Sequence, residues 1–462
     1  MKMKTTMKKI AILLTAGMLW FAPSCNVLEI EPISEILADN FYSGPSSAEA
    51  ALMHAYNFFR APLTQNYIVV PGIQSDEMFP TRGGNFTRNH TFQTQEIQGN
   101  VQDTWRELYG TVQSCNDILD NVPRIAGNVP NRSQVMGEAY FIRAYAFFYL
   151  TRFWGNVPLV TVPSKSANQD FNLPRTPVAT VMQQVIDDLL QAEDLMSATH
   201  TNRGRAAKGT ARALLAKAYL YRNGPGDVQA ALSKTEEVMA DAQYSLVSGA
   251  NYASLFTVNA QNTSETIFEF SFRPNTSQAN NALDEEFVPF PNNIPRVRPT
   301  QKIVDAFLAQ PDDLRFAASL GFHNNAYYVK KYERNSVTEV ARLTQANNVV
   351  MLRLADVVLM RAECLNELGR TQEAIPFLNQ IRTRAGLDPT TAVTQEEVRQ
   401  AIEDERFVEL CFEGHRWWDS IRTNRATVLS APRLTNPDRV LWPVPGRDID
   451  LNPNLLPQNP SY

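Results

Sequence analysis

The sequence predicts a mainly α-helical protein in which helical hairpins carry an irregular, loop-rich half with a few short strands. Three observations lead there. Apolar residues recur at i, i+3 and i+4 through most of the chain. Two segments of similar length repeat one helix–turn–helix plan. The stretches between the periodic segments are long and rich in Gly, Asn and Pro.

The helices follow in order. Residues 48–60 put Ala51, Leu52, Ala55, Phe58 and Phe59 on one stripe, and 101–122 does the same with Trp105, Leu108, Val112, Cys115, Ile118 and Leu119. Segment 135–155 is so dense in Tyr, Phe and Ala that burial on most sides is expected. Segment 176–196 opens with Thr176 as N-cap and Pro177 at the first helical position. Segment 209–224 ends in Gly224, and Asp227 is the expected cap of 227–242. Residues 349–369 read as one helix ending at Gly369; Thr371 then caps a helix to Arg384, closed by Gly386, with Pro376 removing one backbone donor inside it. The pairs 209–242 and 349–385 are each about 34 residues of Ala-rich helix, Gly-containing turn and second helix, a tetratricopeptide-like plan. Residues 265–272 alternate Ile267, Glu269 and Ser271 against Phe268, Phe270 and Phe272, the pattern of a strand. Loops fill 61–100, 156–175, 243–300 and 309–348, and five prolines keep 441–462 extended.

The first 24 residues differ. Lys2, Lys4, Lys8 and Lys9 precede an apolar run at 10–21, then Ala22, Pro23, Ser24 and Cys25. A basic start, a short apolar core and small residues describe an export signal, and the run is shorter than the ~20 residues a bilayer span needs. Residues 1–24 resemble a bacterial lipoprotein signal, with Cys25 as the lipidated first residue; Ala22-Pro23-Ser24 also fits an ordinary cleavage site. Removing 1–24 takes four lysines and no acid, moving the formal charge from −5 to −9. So acidic a chain, without a Lys/Arg run, has no electrostatic reason to hold nucleic acid. Cys115, Cys364 and Cys411 lack C-x-x-C spacing and read as buried thiols. Of the five histidines only His415 stands at ligand spacing from a cysteine, Cys411, and one pair makes no tetrahedral site; no phosphate loop, nucleophile elbow or H-E-x-x-H occurs, so no cofactor, metal or catalytic role is expected.

ERFVELCFEGHRWWDSIR, 405–422, concentrates Glu405, Glu409, Glu413, Asp419, three arginines, His415, Trp417 and Trp418. Read as one helix, it aligns Phe407, Leu410, Cys411, Gly414, Trp418 and Ile421 on an apolar face and the three glutamates in a column. Like charges one turn apart repel, so Arg406, Arg416 and Arg422 along the helix, and Arg382 and Arg384 across from it, are the expected counterions. A general acid needs a raised pKa, which such a setting opposes. The stretch therefore reads as a structural ion-pair helix.

These residues also carry a family resemblance. LRLADVVLMRAECLNELG, LNQIRTRAGL, the 405–422 stretch and LWPVPGRDIDLNPNLLPQNPSY follow in the order of the C-terminal half of the SusD/RagB family of outer-membrane nutrient-binding lipoproteins. CNVLEIEP, SDEMFPTRGGNF, TWRELYGTVQSCNDIL, GEAYFIRAYAFFYLTRFWGNVPLV and RGRAAKGTARALLAKAYLYRN resemble its N-terminal half. The resemblance implies a signal peptide at 1–24, an N-terminal helical region at 25–242 and a C-terminal region at 243–462, forming one compact unit. It implies tetratricopeptide-like helices cradling a loop-rich ligand-binding half, a glycan ligand, an outer-membrane lipid anchor and a SusC-like TonB-dependent transporter as partner.

Sugar recognition needs flat aromatic faces and planar polar groups on surface loops. The resemblance implies that loop 75–92 lines the glycan site and carries Asp76, Arg82 and Phe86 into that role, with Asn85 beside them; Phe290 in FVPFPNN, with Tyr327 and Tyr328 in NNAYYVKKY, lie in the other loop region it implies. Trp105, Tyr109, Trp154, Trp417 and Trp418 are assigned to the core, and Trp442 to packing of the tail. Two other readings stay open: a lipid-anchored glycan hydrolase, and a tetratricopeptide-like scaffold that binds only protein. Mass spectrometry of the mature N-terminus tests the anchor: acyl chains on Cys25 are expected, and an unmodified terminus would leave only the ordinary cleavage site.

Overall fold

The structure, a computed structural model, describes residues 41–42, 44–164, 172–257, 262–272, 283–289, 294–333 and 347–462. The signal segment, Cys25 and Phe290 lie outside the described residues.

The principal helices are α1 (Pro45–Arg60), α2 (Gly99–Asn121), α3 (Arg132–Trp154), α4 (Val178–Leu195), α5 (Lys208–Arg222), α6 (Asp227–Met239), α7 (Leu354–Glu367), α8 (Thr371–Arg384), α9 (Gln395–Glu409) and α10 (Arg416–Arg422). From α1 to α9 each packs on the next, so paired helices stack into one continuous layer, as the hairpin spacing predicts. In α3 every residue from Phe141 to Trp154 is buried, as its composition requires. Ala211, Ala213, Ala216 and Ala218 are buried in α5, where short side chains let its neighbours approach. Trp442 packs on Phe153 and Trp154, with ring centroids 4.3 and 5.6 Å away, tying the Pro-rich tail to α3. Cys115, Cys364 and Cys411 are buried free thiols. Among the described residues no helix is long and apolar enough to cross a membrane.

Several helix ends differ from expectation. Thr176 does not cap α4: its backbone bridges Val157, and Asn156 Oδ1 accepts the Val178 N–H instead at 3.0 Å. Asp227 is already helical, and its carboxylate accepts the Gly224 N–H at 2.7 Å while pairing with Arg222. Asn223, not Gly224, takes the left-handed position after α5. Thr371 donates to Asn366 rather than capping α8. The expected closures hold at Gly369 and Gly386, both with positive φ. At Gly386 a paired motif forms, with Leu387 N–H bonded to Arg382 O and Gly386 N–H to Thr383 O.

The segment read as one helix over 349–369 begins instead with strand β6 (Val349–Arg353), antiparallel to β2 (Thr266–Phe270). Its β-branched start and its burial on both sides suit a strand, and the change to helix comes at Leu354. β2 is likewise buried on both faces, so Glu269 lies inside, its carboxyl pushed up to about 7 by burial against the hydrogen bond from Asn348. The other pairs are β1 (Met78–Pro80) with β3 (Val297–Pro299) and β4 (Leu320–His323) with β5 (Ala326–Val329).

The stretch 405–422 is not one helix. After Glu409 the chain turns through Phe412 (φ 66°) and Gly414 (φ 77°) before α10 starts. A Cβ on Gly414 would stand 2.1 Å from the Tyr67 carbonyl oxygen, so the turn passes only as glycine. The glutamates converge on a buried ion cluster rather than lining up. Arg353 binds Glu409, Glu265 and Glu413 at 2.5, 2.9 and 2.7 Å. Arg315 binds Glu405, Glu409 and Asp313, and Lys331 binds Glu413 at 2.7 Å. Arg384 and Arg382 reach across as expected, to Glu409 and Glu405. Arg406, Arg416 and Arg422 face other carboxylates: Asp356 and Asp419, Asp76 and Glu403, Glu363 and Asp419.

Burial alone would raise the Glu409 carboxyl, but Arg384, Arg353 and Arg315 hold it well below its usual value of 4.5. Glu413 is lowered too, burial being outweighed by Arg353 and Lys331. Carboxyls depressed in the folded state stabilise it above their unfolded pKa and lose that contribution as pH falls. Stability is therefore expected to decline as pH drops below about 4.5. Replacing Arg353 by Ala leaves three buried carboxylates short of a counterion, and a loss of roughly 3–5 kcal/mol is expected at neutral pH; denaturant unfolding followed by circular dichroism measures it.

Candidate functional site

Two of the segments expected to hold a ligand are joined by backbone pairing. Met78, Phe79 and Pro80 face Pro299, Arg298 and Val297. Beyond the strand, Thr81 N–H and Oγ1 donate to Arg296 O and Pro295 O at 2.9 and 2.5 Å, and Arg82 donates to Ile294 O at 3.1 Å. Thr300 continues the zipper inward, its N–H reaching Glu77 O and its hydroxyl Asp76 O. β3 also lies against β5, which brings the third segment alongside.

The β4–β5 hairpin turns at Asn324-Asn325, both left-handed (φ 48° and 57°), the backbone a two-residue hairpin loop demands. Gly321 pairs with Tyr328 across it. A Cβ on Gly321 would lie 2.1 Å from Tyr328 Cζ, so glycine makes room for that ring.

The expected site residues separate into two groups. Arg82 and Asn85 are exposed, and Phe86 is half-buried, packed on the core edge. They share the outer turn of the 75–92 loop, in and beside the short helix Asn85–His90. Asp76 and Tyr328 instead face inward. Asp76 takes two hydrogen bonds from Arg416, at 2.8 and 3.0 Å, and one from Lys302 at 2.6 Å. Burial would raise its carboxyl, but Arg416 and then Lys302 lower it. Tyr328 is buried, its hydroxyl donating to Glu333 at 2.8 Å. Next to Asp76, Glu77 is fully buried, and burial plus the Asp76 charge push its carboxyl well above the usual range.

Other side chains reach this surface. Phe79 is 37% exposed, Ile294 55% and Phe322 62%, so all three offer apolar area to a ligand. Phe322 meets the half-buried Tyr327 edge-on at 5.0 Å. Sequence reasoning named Tyr327 and Tyr328 together and passed over Phe322. Reading Asn324-Asn325 as a hairpin turn would have set the alternation, separated the two tyrosines and paired Phe322 with Tyr327. These adjoining segments carry aromatic rings, a guanidinium and an amide around loop backbone. Such groups are suited to holding a polyhydroxylated molecule by stacking and hydrogen bonding.

A helical stack carrying such a loop surface is the architecture of a binding protein built on tetratricopeptide-like hairpins. Residues 317–434 match the model of the SusD family, and 63–220 match a second model described as "Starch-binding associating with outer membrane". Two SusD-like proteins of Formosa agariphila are 26% and 28% identical, over 98% and 93% of this chain and 98% and 94% of theirs. Among solved structures, a SusD superfamily protein from Parabacteroides distasonis superposes with TM-score 0.79 at 24% identity, covering 90% of this chain and 99% of its own. A laminarin-binding SusD-like protein gives TM-score 0.79 at 24% identity, over 91% of this chain and 100% of its own. The surface glycan-binding protein A of Bacteroides fluxus gives 0.78 at 20%, over 90% and 99%. The chain belongs to the SusD/RagB family.

Because both Asp76 oxygens serve Arg416 and Lys302, Asp76→Ala is expected to cost stability, on the order of 3 kcal/mol, by leaving Arg416 half-unpaired in the interior. Thermal unfolding of that variant beside Arg82→Ala, an exposed position, checks it: the first should shift the transition well beyond the second.

Proposed function

We propose that this protein is a glycan-binding lipoprotein of the outer membrane that captures oligo- or polysaccharide at the surface built from loops 78–86, 294–298 and the 320–329 hairpin. The observation that carries the reading is the exposed aromatic and amide surface on a SusD/RagB frame. Phe79, Phe86, Phe322 and Tyr327 supply rings for sugar C–H faces; Arg82 and Asn85 supply planar donors for hydroxyls. The family model described as starch-binding, and the laminarin- and glycan-binding proteins of the same fold, support a carbohydrate ligand. Phe290 sits in the same sequence region and joins the site in this reading.

The bound glycan is passed to a SusC-like TonB-dependent transporter, with Cys25 carrying the lipid that holds the protein at the membrane, probing outward from the cell surface. Family membership supports both. The protein binds without turning over its ligand. In favour of that, the glutamates that most suggested catalysis sit among arginines, and Glu409 and Glu413 are held as carboxylates, unsuited to general-acid work.

Affinity electrophoresis of the chain from Asn26 against a polysaccharide panel tests this, with assay of the same mixtures for new reducing ends. Retardation without new ends is expected. Phe86→Ala and Arg82→Ala should each weaken it about tenfold, the cost of one stacked ring or one charged hydrogen bond, with the fold unchanged. New reducing ends would contradict the binding role.

A further inference from the structure

The loop that begins at the candidate site ends at a second concavity, of about 900 Å³, between residues 91–97 and 433–439 with Tyr462 at its edge. Its wall carries two guanidinium groups. Arg433 spends its donors on the carbonyls of Ile73, Gln74, Ser75 and His90, and His90 Nδ1, 2.7 Å from Ile73 O, donates to that carbonyl. Arg439 donates to Phe92 O and Ser461 O and lies 4.7 Å from the Tyr462 ring centre. Every one of these acceptors is neutral. Burial and the Arg433 charge keep the His90 pKa near 4, so the imidazole does not add a second cation. Among the described residues neither arginine has an ion pair; Glu96 lines the cleft, and Asp438 beside it accepts a hydrogen bond from Ser461. Arg439 thus stands at the cleft without an ion-pair partner among the described residues.

Arg439 has donors to spare. A guanidinium carries five N–H groups, and protein atoms take two of them here. The rim adds Gln93, Gln95 and Asn436, amides suited to hydroxyl groups. The cleft floor is also held in a costly conformation. Phe92 sits at φ 56° in the left-handed position closing the helix Asn85–His90, with Gln93 N–H bonded to Arg88 O and Phe92 N–H to Asn89 O. Glycine is the usual occupant of that position. Phenylalanine there places a ring against Trp417, with centroids 5.3 Å apart, and its carbonyl on Arg439. Strain of this kind collects at binding sites.

We propose that this cleft binds an acidic sugar residue, whose carboxylate or sulfate oxygens take the free donors of Arg439 while the rim amides hold its hydroxyls. The inference rests on the glycan-binding reading and narrows it to anionic glycans. A carboxylate or sulfate meets a guanidinium through paired, charge-assisted hydrogen bonds, which a neutral sugar cannot match.

The test is affinity electrophoresis of the chain from Asn26 in gels containing polygalacturonate, dextran sulfate, galactan or dextran, comparing wild type with Arg439→Gln, Arg439→Lys and Arg82→Ala. Wild type should be retarded by at least one acidic polymer, less so as salt rises, and the responsive polymer separates a carboxylate ligand from a sulfate. Arg439→Gln should weaken that retardation about tenfold, and Arg439→Lys, which keeps the charge without the fork, should lie between. Acidic retardation unchanged in both Arg439 variants overturns the inference. Retardation by the neutral polymers alone also overturns it, yet leaves the glycan-binding reading standing. If no polymer in this or the wider panel retards the protein, both readings fall.

Discussion

Arg353 is the point on which the rest of the structure turns. Its guanidinium, 1% exposed, meets Glu265, Glu409 and Glu413, and through Glu409 the cluster extends to Arg384 and Arg315. Charges removed from water at this depth cost several kcal/mol each unless matched by close partners. Matching them requires five separate segments to arrive together: the start of β2, the end of β6, α8, α9 with the turn after it, and the 313–331 stretch. The cluster therefore acts less as added stability than as a condition on geometry. Arrangements that separate these segments leave buried charge unpaired.

That condition reaches the surface through a short chain of contacts. Glu413 can meet Arg353 because the backbone turns at Phe412 and Gly414, and the same turn sets the direction of α10. α10 then presents Arg416 to Asp76. Asp76 and Thr300 fasten the base of the 75–92 loop to the residues after β3. Arg82, Asn85 and Phe86 stand at the far end of this fastening, and Phe92 and the Arg433–Arg439 cleft at its return. The loop is thus held at both roots while Arg82 and Asn85 on its outer turn stay exposed, which in the proposed role limits the ordering entropy that binding must overcome.

The helices were legible because a 3.6-residue period survives in sequence: α1 to α6 and α8 begin and end within a few residues of expectation. The Val349–Arg353 strand was not, since a short, wholly apolar run satisfies either period and only its partner at 266–270 decides. The break within 405–422 was hidden because Phe412, at a left-handed φ, carries no local signal for it. Arg382 and Arg384 were found as counterions because they come from the neighbouring hairpin. Arg315, Lys331 and Arg353 were missed because distant loops bring them in. At the surface, composition and the family resemblance pointed to these loops but not to which way each side chain faces: Asp76 and Tyr328 turn inward, while Phe322 turns outward.

The central claim, that the ion cluster locks the loop-rich half onto the helical stack, is tested most directly by hydrogen–deuterium exchange on Glu409→Gln. Removing that charge leaves Arg384, Arg353 and Arg315 facing one another. The account predicts that protection is lost first in β2, β6 and 313–332, with α2 to α4 still protected. Exchange that rises evenly through all the helices, or not at all, would contradict it.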